Sequence, residues 1–235
     1  MRVGFFSAFS ARARSQEKEK MKNKTAGLII LVLGVIGCLG VLRVDAQDAA
    51  PKGQAAPMRD WATDFSVGKS SMSRLAAVRS VFQGPNRRAA GALKAAFAQE
   101  PRASIRAWIV RAENHTNPGN IPFLETALKD PSVQVREAAI VALGESKNPR
   151  AVADLSPILA TDPDPGARMT SAFWLGQLGG SSSVSALSQA LAQDKDANVR
   201  LQAAQSLKEI GSGAALRALK QAANDPNPRV RGLAP

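Results

Sequence analysis

The sequence predicts an all-α solenoid of about five antiparallel helix pairs, and two observations support this fold class. An acidic residue followed six positions later by an arginine recurs along the chain from residue 100 onwards. The chain is also 45% hydrophobic but only 5% aromatic, with no tyrosine, so its apolar residues are mostly Ala, Leu and Val. Such residues favour closely packed helices over sheets. Self-similarity at a fixed spacing of about 30 residues is typical of solenoids.

The recurring acid and arginine define the repeat. The arginines of the last four copies lie 32, 32 and 31 residues apart, and the copies contain the pairs Asp130 and Arg136, Asp162 and Arg168, Asp194 and Arg200, and Asp225 and Arg231. Glu100 and Arg106 extend the series upstream. Arg74 lies another 32 residues back, although Gly68 stands where its acid would be. The repeat array is therefore predicted over residues 68–235, with the last copy incomplete.

Each copy carries the signals of one helix. The predicted N-caps, two residues after the leading acid, are Ser132, Asp164, Asp196 and Asn227. Apolar residues follow at helical spacing, ending on Leu143, Leu175 and Leu207. Three glycines are predicted to end these helices in the left-handed conformation, namely Gly144, Gly176 and Gly211. A second helix fits between successive copies, and Pro157 is predicted to kink one of these or shift its start.

The stretch "DPSVQVREAAIVALG" from Asp130 resembles the HEAT-like repeats of the phycobilisome-lyase type, whose pattern is roughly D-P-x-x-x-V-R-x-x-A-x-x-A-L-G. "DPDPGARMTSAFWLGQLG" and "DKDANVRLQAAQSLKEIG" are similar to it, and the resemblance covers about Ser70–Pro235. It implies a right-handed α-solenoid in which the Asp and Arg columns form a polar ladder that holds neighbouring repeats in register. Such repeats occur in bilin lyases, in protein scaffolds and, in a related form, in DNA glycosylases, so the fold does not choose a function.

Residues 21–46 have the pattern of a signal peptide. A basic head begins at Met21, an apolar run follows, and Val44 and Ala46 occupy the cleavage positions, which predicts cleavage after Ala46. Residues 1–20 are an extended N-terminal region or a misassigned start. Two alternatives use the same segment: "VIGC" matches a lipobox with Cys38 as the lipidated residue, and Thr25–Leu42 is long enough for a membrane anchor. All three predict export of the rest. Residues 47–67 are predicted to be a linker.

The charge is uneven along the chain. The net charge is +12, and it is +7 without residues 1–46. Between Asp64 and Glu100 there is no acid, whereas six bases occur there: Lys69, Arg74, Arg79, Arg87, Arg88 and Lys94. A one-signed first helix pair predicts a docking face for an acidic protein partner or an anionic surface. The alternative is an ordinary solvated face of a basic protein.

Few residues suit catalysis. The single histidine, His115, is predicted to lie in a polar loop without a partner for metal binding or catalysis. Trp174, next to Phe173, is either a binding anchor or a core filler. Only two weak pairings suit a glycosylase-type base pocket, namely Trp108 with Glu113 and Trp174 with Asp154.

The sequence thus predicts an exported, non-catalytic scaffold that binds a protein, with no cofactor. Membrane contact would occur only through an uncleaved or lipidated leader. The alternatives are a bilin-lyase-like enzyme subunit or chaperone and, third, a nucleic-acid-binding protein, which the export signal disfavours.

Overall fold

Helices that carry the recurring arginines form one layer of the fold, and the helices between them form a second. The computed structural model describes residues 60–83 and 89–235, which belong to one unit, Pro57–Pro235. The predicted leader with Cys38 and Ala46, most of the linker, and the basic residues Arg87 and Arg88 lie outside the described residues. Within the described ranges the chain forms twelve helices and no strand.

We call the helices of the first layer the ladder helices. They are α2 (Ser71–Ser80), α4 (Ala103–Thr116), α6 (Val133–Glu145), α8 (Pro165–Leu178), α10 (Ala197–Ile210) and α12 (Pro228–Arg231). The second helices are α3 (Ala89–Gln99), α5 (Ile121–Ala127), α7 (Ala151–Thr161), α9 (Gly180–Gln193) and α11 (Gly213–Leu219). A short helix, α1 (Trp61–Asp64), precedes them, and 3₁₀ turns follow α2 (Val81–Gln83) and α11 (Lys220–Asn224).

Each ladder helix packs on the next along the chain, from α2 through to α12, and α7, α9 and α11 pack in the same order in the second layer. The structure thus contains five helix pairs and the first helix of a sixth. This confirms the predicted all-α, HEAT-like solenoid. The predicted apolar stripe forms its core, and Leu143, Leu175 and Leu207 are fully buried. Burying one such side chain stabilises a fold by about 1.5–3 kcal/mol.

Three of the predicted N-cap residues cap their ladder helices with a side-chain hydrogen bond. The Asp164 carboxylate accepts hydrogen bonds from the backbone N–H groups of Gly166 and Ala167, at 2.8 and 3.1 Å. Asp196 caps α10 through two such hydrogen bonds, and Asn227 caps α12 through one, from the backbone N–H of Arg229. Ser132 has the extended backbone of an N-cap, but its hydroxyl makes no capping hydrogen bond, so the prediction of a side-chain cap is wrong there.

Two of the three predicted helix-ending glycines do not end a helix. Gly211 has φ = 62° and terminates α10 as predicted. Gly144 and Gly176 instead lie inside α6 and α8, where a neighbouring side chain contacts the helix backbone. A Cβ at Gly144 would lie 2.0 Å from Cδ2 of Trp174. The absence of a side chain is therefore needed for close packing of neighbouring ladder helices rather than for a left-handed turn.

Pro157 lies inside α7, which runs from Ala151 to Thr161.

Candidate functional site

Each of the first five recurring arginines, which we call the ladder arginines together with Arg231, joins its own repeat to the next one. Nε and Nη2 of Arg136 donate to the two carboxylate oxygens of Asp162, both at 2.8 Å. Its Nη1 donates to the carbonyl oxygens of Asp130 and Pro131, at 3.1 and 3.2 Å. The acid of each repeat therefore pairs with the arginine of the preceding repeat, not with the arginine six residues later. The other four bidentate pairs are Arg74–Glu100, Arg106–Asp130, Arg168–Asp194 and Arg200–Asp225.

The acid of each pair also fixes the chain before the next helix. Oδ1 of Asp162 accepts from the backbone N–H of Asp164 at 2.9 Å, and its side chain is only 2% exposed. Bidentate arginine–carboxylate pairs combine charge with a planar fit, so they set geometry more strongly than a lysine pair would. Since the pair recurs in every complete repeat, it serves the stack rather than a single binding site.

Four of the ladder carboxylates, Glu100, Asp130, Asp162 and Asp225, have lowered pKa values. Burial by itself raises the pKa of Asp162, but the hydrogen bonds from Arg136 and from the Asp164 N–H outweigh it, and the pKa lies below its usual range. Burial is outweighed in the same way at Glu100 and Asp130. For Asp225 the hydrogen bond from Arg200 is the largest cause of the lowered pKa.

These lowered pKa values predict loss of stability in acid. The folded carboxylates bind protons less readily than the unfolded ones, so the unfolded chain takes up more protons as the pH falls. The stabilisation is complete above the ordinary Asp pKa of about 3.9 and is lost as the pH falls through the lowered values. Urea unfolding followed by circular dichroism from pH 7 to pH 2.5 measures this. An unfolding midpoint that stays constant below pH 4 would contradict it, and Asp162→Asn is expected to show a smaller change over the same range.

The last arginine of the series has no acid. Nη1 of Arg231 donates to the carbonyl oxygens of Asp225 and Pro226, at 2.8 and 2.9 Å, which repeats the backbone contacts of Arg136. No carboxylate of the described residues pairs with its other nitrogens. Arg231 is exposed, so it has the ladder position without the ladder pair.

The predicted basic face is smaller than the sequence indicated. Arg74 is buried and its guanidinium is bound to Glu100, so it belongs to the ladder, and its prediction as an exposed binding residue is wrong. The repeat spacing contained this signal, because Arg74 lies 32 residues before Arg106. Arg79 and Lys94 are exposed, on α2 and α3.

Arg79 takes part in a group that we call the aromatic–arginine cluster, made of Arg79, Phe82, Trp108, Arg111 and His115. The Cζ atoms of Arg79 and Arg111 lie 4.8 and 5.3 Å from the Trp108 ring centroid, within the range of cation–π attraction. Phe82 lies edge-on to Trp108 at 6.0 Å and contacts the His115 ring at 5.1 Å. His115 thus lies in the last turn of α4, not in a loop as predicted.

Trp174 fills space between α6 and α8. Its ring lies against the backbone of Gly144, packs on the core and contacts Phe173 edge-on at 5.3 Å. The side chain is partly buried, which favours the core-filling role over the predicted binding anchor. Among the described residues, no hydrogen bond joins Asp154 to Trp174.

Glu113 is a buried carboxylate in a leucine position. It follows Arg106 by seven residues, as Leu143 follows Arg136, and it is fully buried. One of its oxygens accepts from Nδ2 of Asn120 at 2.6 Å, while the other has no hydrogen-bond partner among the described residues. The repeat spacing shows that an acid occupies this core column. It does not show that Asn120 supplies a partner. Among the described residues, no hydrogen bond joins Glu113 to Trp108.

Replacing Glu113 with leucine is therefore expected to stabilise the chain. The change removes a buried acceptor without a partner, which costs about 1–3 kcal/mol, and restores the residue found in three other repeats. The free energy of unfolding from urea titrations measures the gain, and Glu113→Ala, which leaves a cavity, is the control. A loss of stability in Glu113→Leu would contradict this prediction and would mean that the hydrogen bond from Asn120 outweighs the cost of the unpaired oxygen.

The described residues contain neither a metal-binding cluster nor a membrane-spanning helix. No group of three or more His, Cys, Asp or Glu side chains there is placed to hold a metal ion. Of the helices that the structure describes, none is long and apolar enough to cross a membrane.

The fold and the ladder define a HEAT-like helical repeat protein, and comparison with known proteins agrees. The family model of HEAT repeats matches residues 91–171 and 152–234, which together cover more than half of the chain. The chain belongs to the HEAT-repeat family.

No curated protein matches the chain. Among solved structures, human deoxyhypusine hydroxylase in complex with glycerol is similar to it, with 21% identity, a TM-score of 0.46, and coverage of 74% of this chain and 69% of that one. An engineered protein is similar with 18% identity, a TM-score of 0.46, and coverage of 75% and 94%.

Proposed function

We propose that this chain is an exported, non-catalytic scaffold that binds another protein along the exposed face of its ladder helices. We also propose that its repeats are of the phycobilisome-lyase type, on the strength of the D-P-x-x-x-V-R pattern. One observation carries the scaffold proposal: the interior positions repeat from one ladder helix to the next, while the exposed positions differ.

The exposed positions lie five and nine residues after each of the first five ladder arginines, on the ladder helices or, for Gln83, in the 3₁₀ turn that follows α2. They are Arg79 and Gln83, Arg111 and His115, Val141 and Glu145, Phe173 and Gln177, and Gln205 and Glu209, all exposed or partly exposed. No two helices carry the same pair. Repeat proteins bind their partners in this way, with variable residues on constant helices that form one extended surface.

The export proposal rests on the pattern of residues 21–46. A basic head, an apolar run and small residues at the cleavage positions predict a mature chain that begins at Gln47 in the periplasm or outside the cell. Lipidation of Cys38 or an uncleaved anchor would tether the same scaffold to an outward membrane face.

Export is tested by intact mass and N-terminal sequencing of the protein recovered from fractionated cells. A chain that begins at Gln47 in the soluble extracytoplasmic fraction supports cleavage, and a lipid-modified Cys38 supports the tethered form. An unprocessed chain in the cytoplasm contradicts export.

Partner binding is tested by placing a photo-crosslinking amino acid at Gln205, on the exposed face of α10. The matched control is Gln189, which is exposed on α9 of the second layer. We expect a crosslinked protein at Gln205 and little at Gln189. Equal crosslinking at both positions, or none at either, contradicts binding along the ladder helices.

A further inference from the structure

We infer that the aromatic–arginine cluster is a docking site for an acidic segment of the partner protein. The inference rests on the scaffold function proposed above. It adds where the partner docks and that the docking segment is acidic. Its two charged members come from different repeats, Arg79 from α2 and Arg111 from α4, and both contact the single ring of Trp108.

The two guanidinium groups have no acid of their own. Among the described residues, neither Arg79 nor Arg111 forms a salt bridge or a side-chain hydrogen bond. The chain offers them no acid between residues 65 and 99, and Glu100 is already bound to Arg74 on both oxygens. The charge of Arg111 acts to lower the pKa of Glu137 on α6, but the two side chains form no ion pair. The hydrogen-bonding groups of both arginines therefore remain available.

Trp108 holds these groups in a defined place. Contact with the ring face restricts each guanidinium while leaving its N–H donors for a carboxylate. Because both Cζ atoms lie close to one ring centroid, they are at most about 10 Å apart. Neighbouring acidic side chains of one peptide segment span that distance. Phe82, which is 38% exposed, adds apolar area beside the two charges.

The stack does not require the cluster. At the position of Arg111, five residues after the ladder arginine, the later repeats have Val141, Phe173 and Gln205. Packing of the ladder helices therefore proceeds without a cation there. Exposed aromatic and arginine residues are also the types that contribute most to binding at protein interfaces.

The charge of the rest of the face favours a protein over nucleic acid. Glu145 and Glu209 are exposed on the same layer, where they accept hydrogen bonds from Asn114 and Gln177, both at 3.1 Å. A continuous phosphate backbone along this face would meet those two carboxylates, whereas nucleic-acid binding depends on repeated phosphate neutralisation. A protein partner can place its acids opposite the cluster and other residues opposite Glu145 and Glu209, so a protein fits this face better than nucleic acid does.

The test uses the chain as isolated from cells and a fluorescein-labelled peptide of eight glutamates as the probe, followed by fluorescence anisotropy. The double variant Arg79→Gln/Arg111→Gln is expected to bind the peptide about tenfold more weakly at low salt, since it removes two charge-assisted contacts. The matched control, Arg217→Gln/Arg229→Gln, removes the same charge from two exposed arginines on α11 and α12. It is expected to change binding by less than about twofold.

A second readout locates the peptide. The chain has three tryptophans, and the loss of one indole N–H signal in Trp108→Phe assigns Trp108 in a ¹⁵N-correlated NMR spectrum. We expect the peptide to shift the Trp108 signal and to leave those of Trp61 and Trp174 nearly unchanged. This measurement does not depend on whether a charge variant folds.

Three results of the peptide-binding experiments would overturn the docking site, and a crosslinking result would be a fourth. One is an equal loss of binding in the control variant, and another is an unmoved Trp108 signal. The third is tighter binding at Trp108 by an oligothymidylate of equal charge, which would identify nucleic acid as the ligand. If Gln205 still crosslinks its partner in the Arg79→Gln/Arg111→Gln variant, the docking site fails while the scaffold stands. If Gln205 crosslinks nothing in the unaltered chain, the scaffold proposal itself fails.

Discussion

Replacing Asp162 with alanine is expected to lower the free energy of unfolding by about 3 kcal/mol, near the lower end of the range for breaking a buried ion pair. The variant leaves the Arg136 guanidinium in its buried position without a counter-charge. It also removes the acceptor of the Asp164 N–H, which lies directly before α8. The loss should appear as a lower urea midpoint by circular dichroism at pH 7.

The arrangement offers two controls for this prediction. The double variant Arg136→Met/Asp162→Leu removes both charges, so it is expected to lose less stability than Asp162→Ala, because no buried charge is left unpaired. Arg231→Ala removes an arginine that has the same two carbonyl contacts but no acid among the described residues, and it is expected to cost less than about 1 kcal/mol. If Arg231→Ala cost as much stability as Asp162→Ala, breaking the ion pair would cost no more than losing two carbonyl contacts, and the prediction would be contradicted.

Replacing Gly144 with alanine is expected to destabilise the chain by about 1–3 kcal/mol, the usual cost of inserting a group into a filled core. In an unobstructed helix the same change is favourable by about 1 kcal/mol, since alanine has the highest helix propensity. Here the new Cβ would lie 2.0 and 2.3 Å from Cδ2 and Cε3 of Trp174, so the ring or the helix must move. Thermal and urea unfolding of the two chains measure the difference.

Gly91 supplies the matched control. It lies inside α3, and a Cβ there would meet nothing within 4 Å, so Gly91→Ala is expected to stabilise by about 0.5–1 kcal/mol. Combining Gly144→Ala with Trp174→Leu should cost less than the sum of the two single changes, because the smaller side chain leaves room for the methyl group. A stabilised Gly144→Ala would contradict the close contact between α6 and α8.

These two sites explain why the exposed face suits a scaffold. The ladder joins the starts of consecutive ladder helices, while the contact of Trp174 with Gly144 sets how closely two of them approach. Together they restrict rotation and sliding of one repeat on the next. The residues five and nine positions after each ladder arginine are therefore presented at defined places.

The sequence by itself determined the repeat and its helical character. Apolar residues at helical spacing and cap residues before each helix are local signals, because a helix is built from contacts between near neighbours. The acid and arginine columns could also be read from the sequence, because they recur at a fixed spacing. Even the place of Glu113 in the leucine column can be read from its distance to Arg106.

Tertiary structure alone decided which residues meet. Asp162 lies six residues before Arg168 but binds Arg136 of the preceding repeat, because stacking brings the start of one repeat beside the arginine of another. The same stacking brings Arg79 and Arg111 to one ring although 32 residues separate them, and it removes Arg74 from the surface. Gly144 illustrates the cause most directly: a glycine near a helix end suggests a cap, and only the neighbouring Trp174 shows that the residue is needed for space.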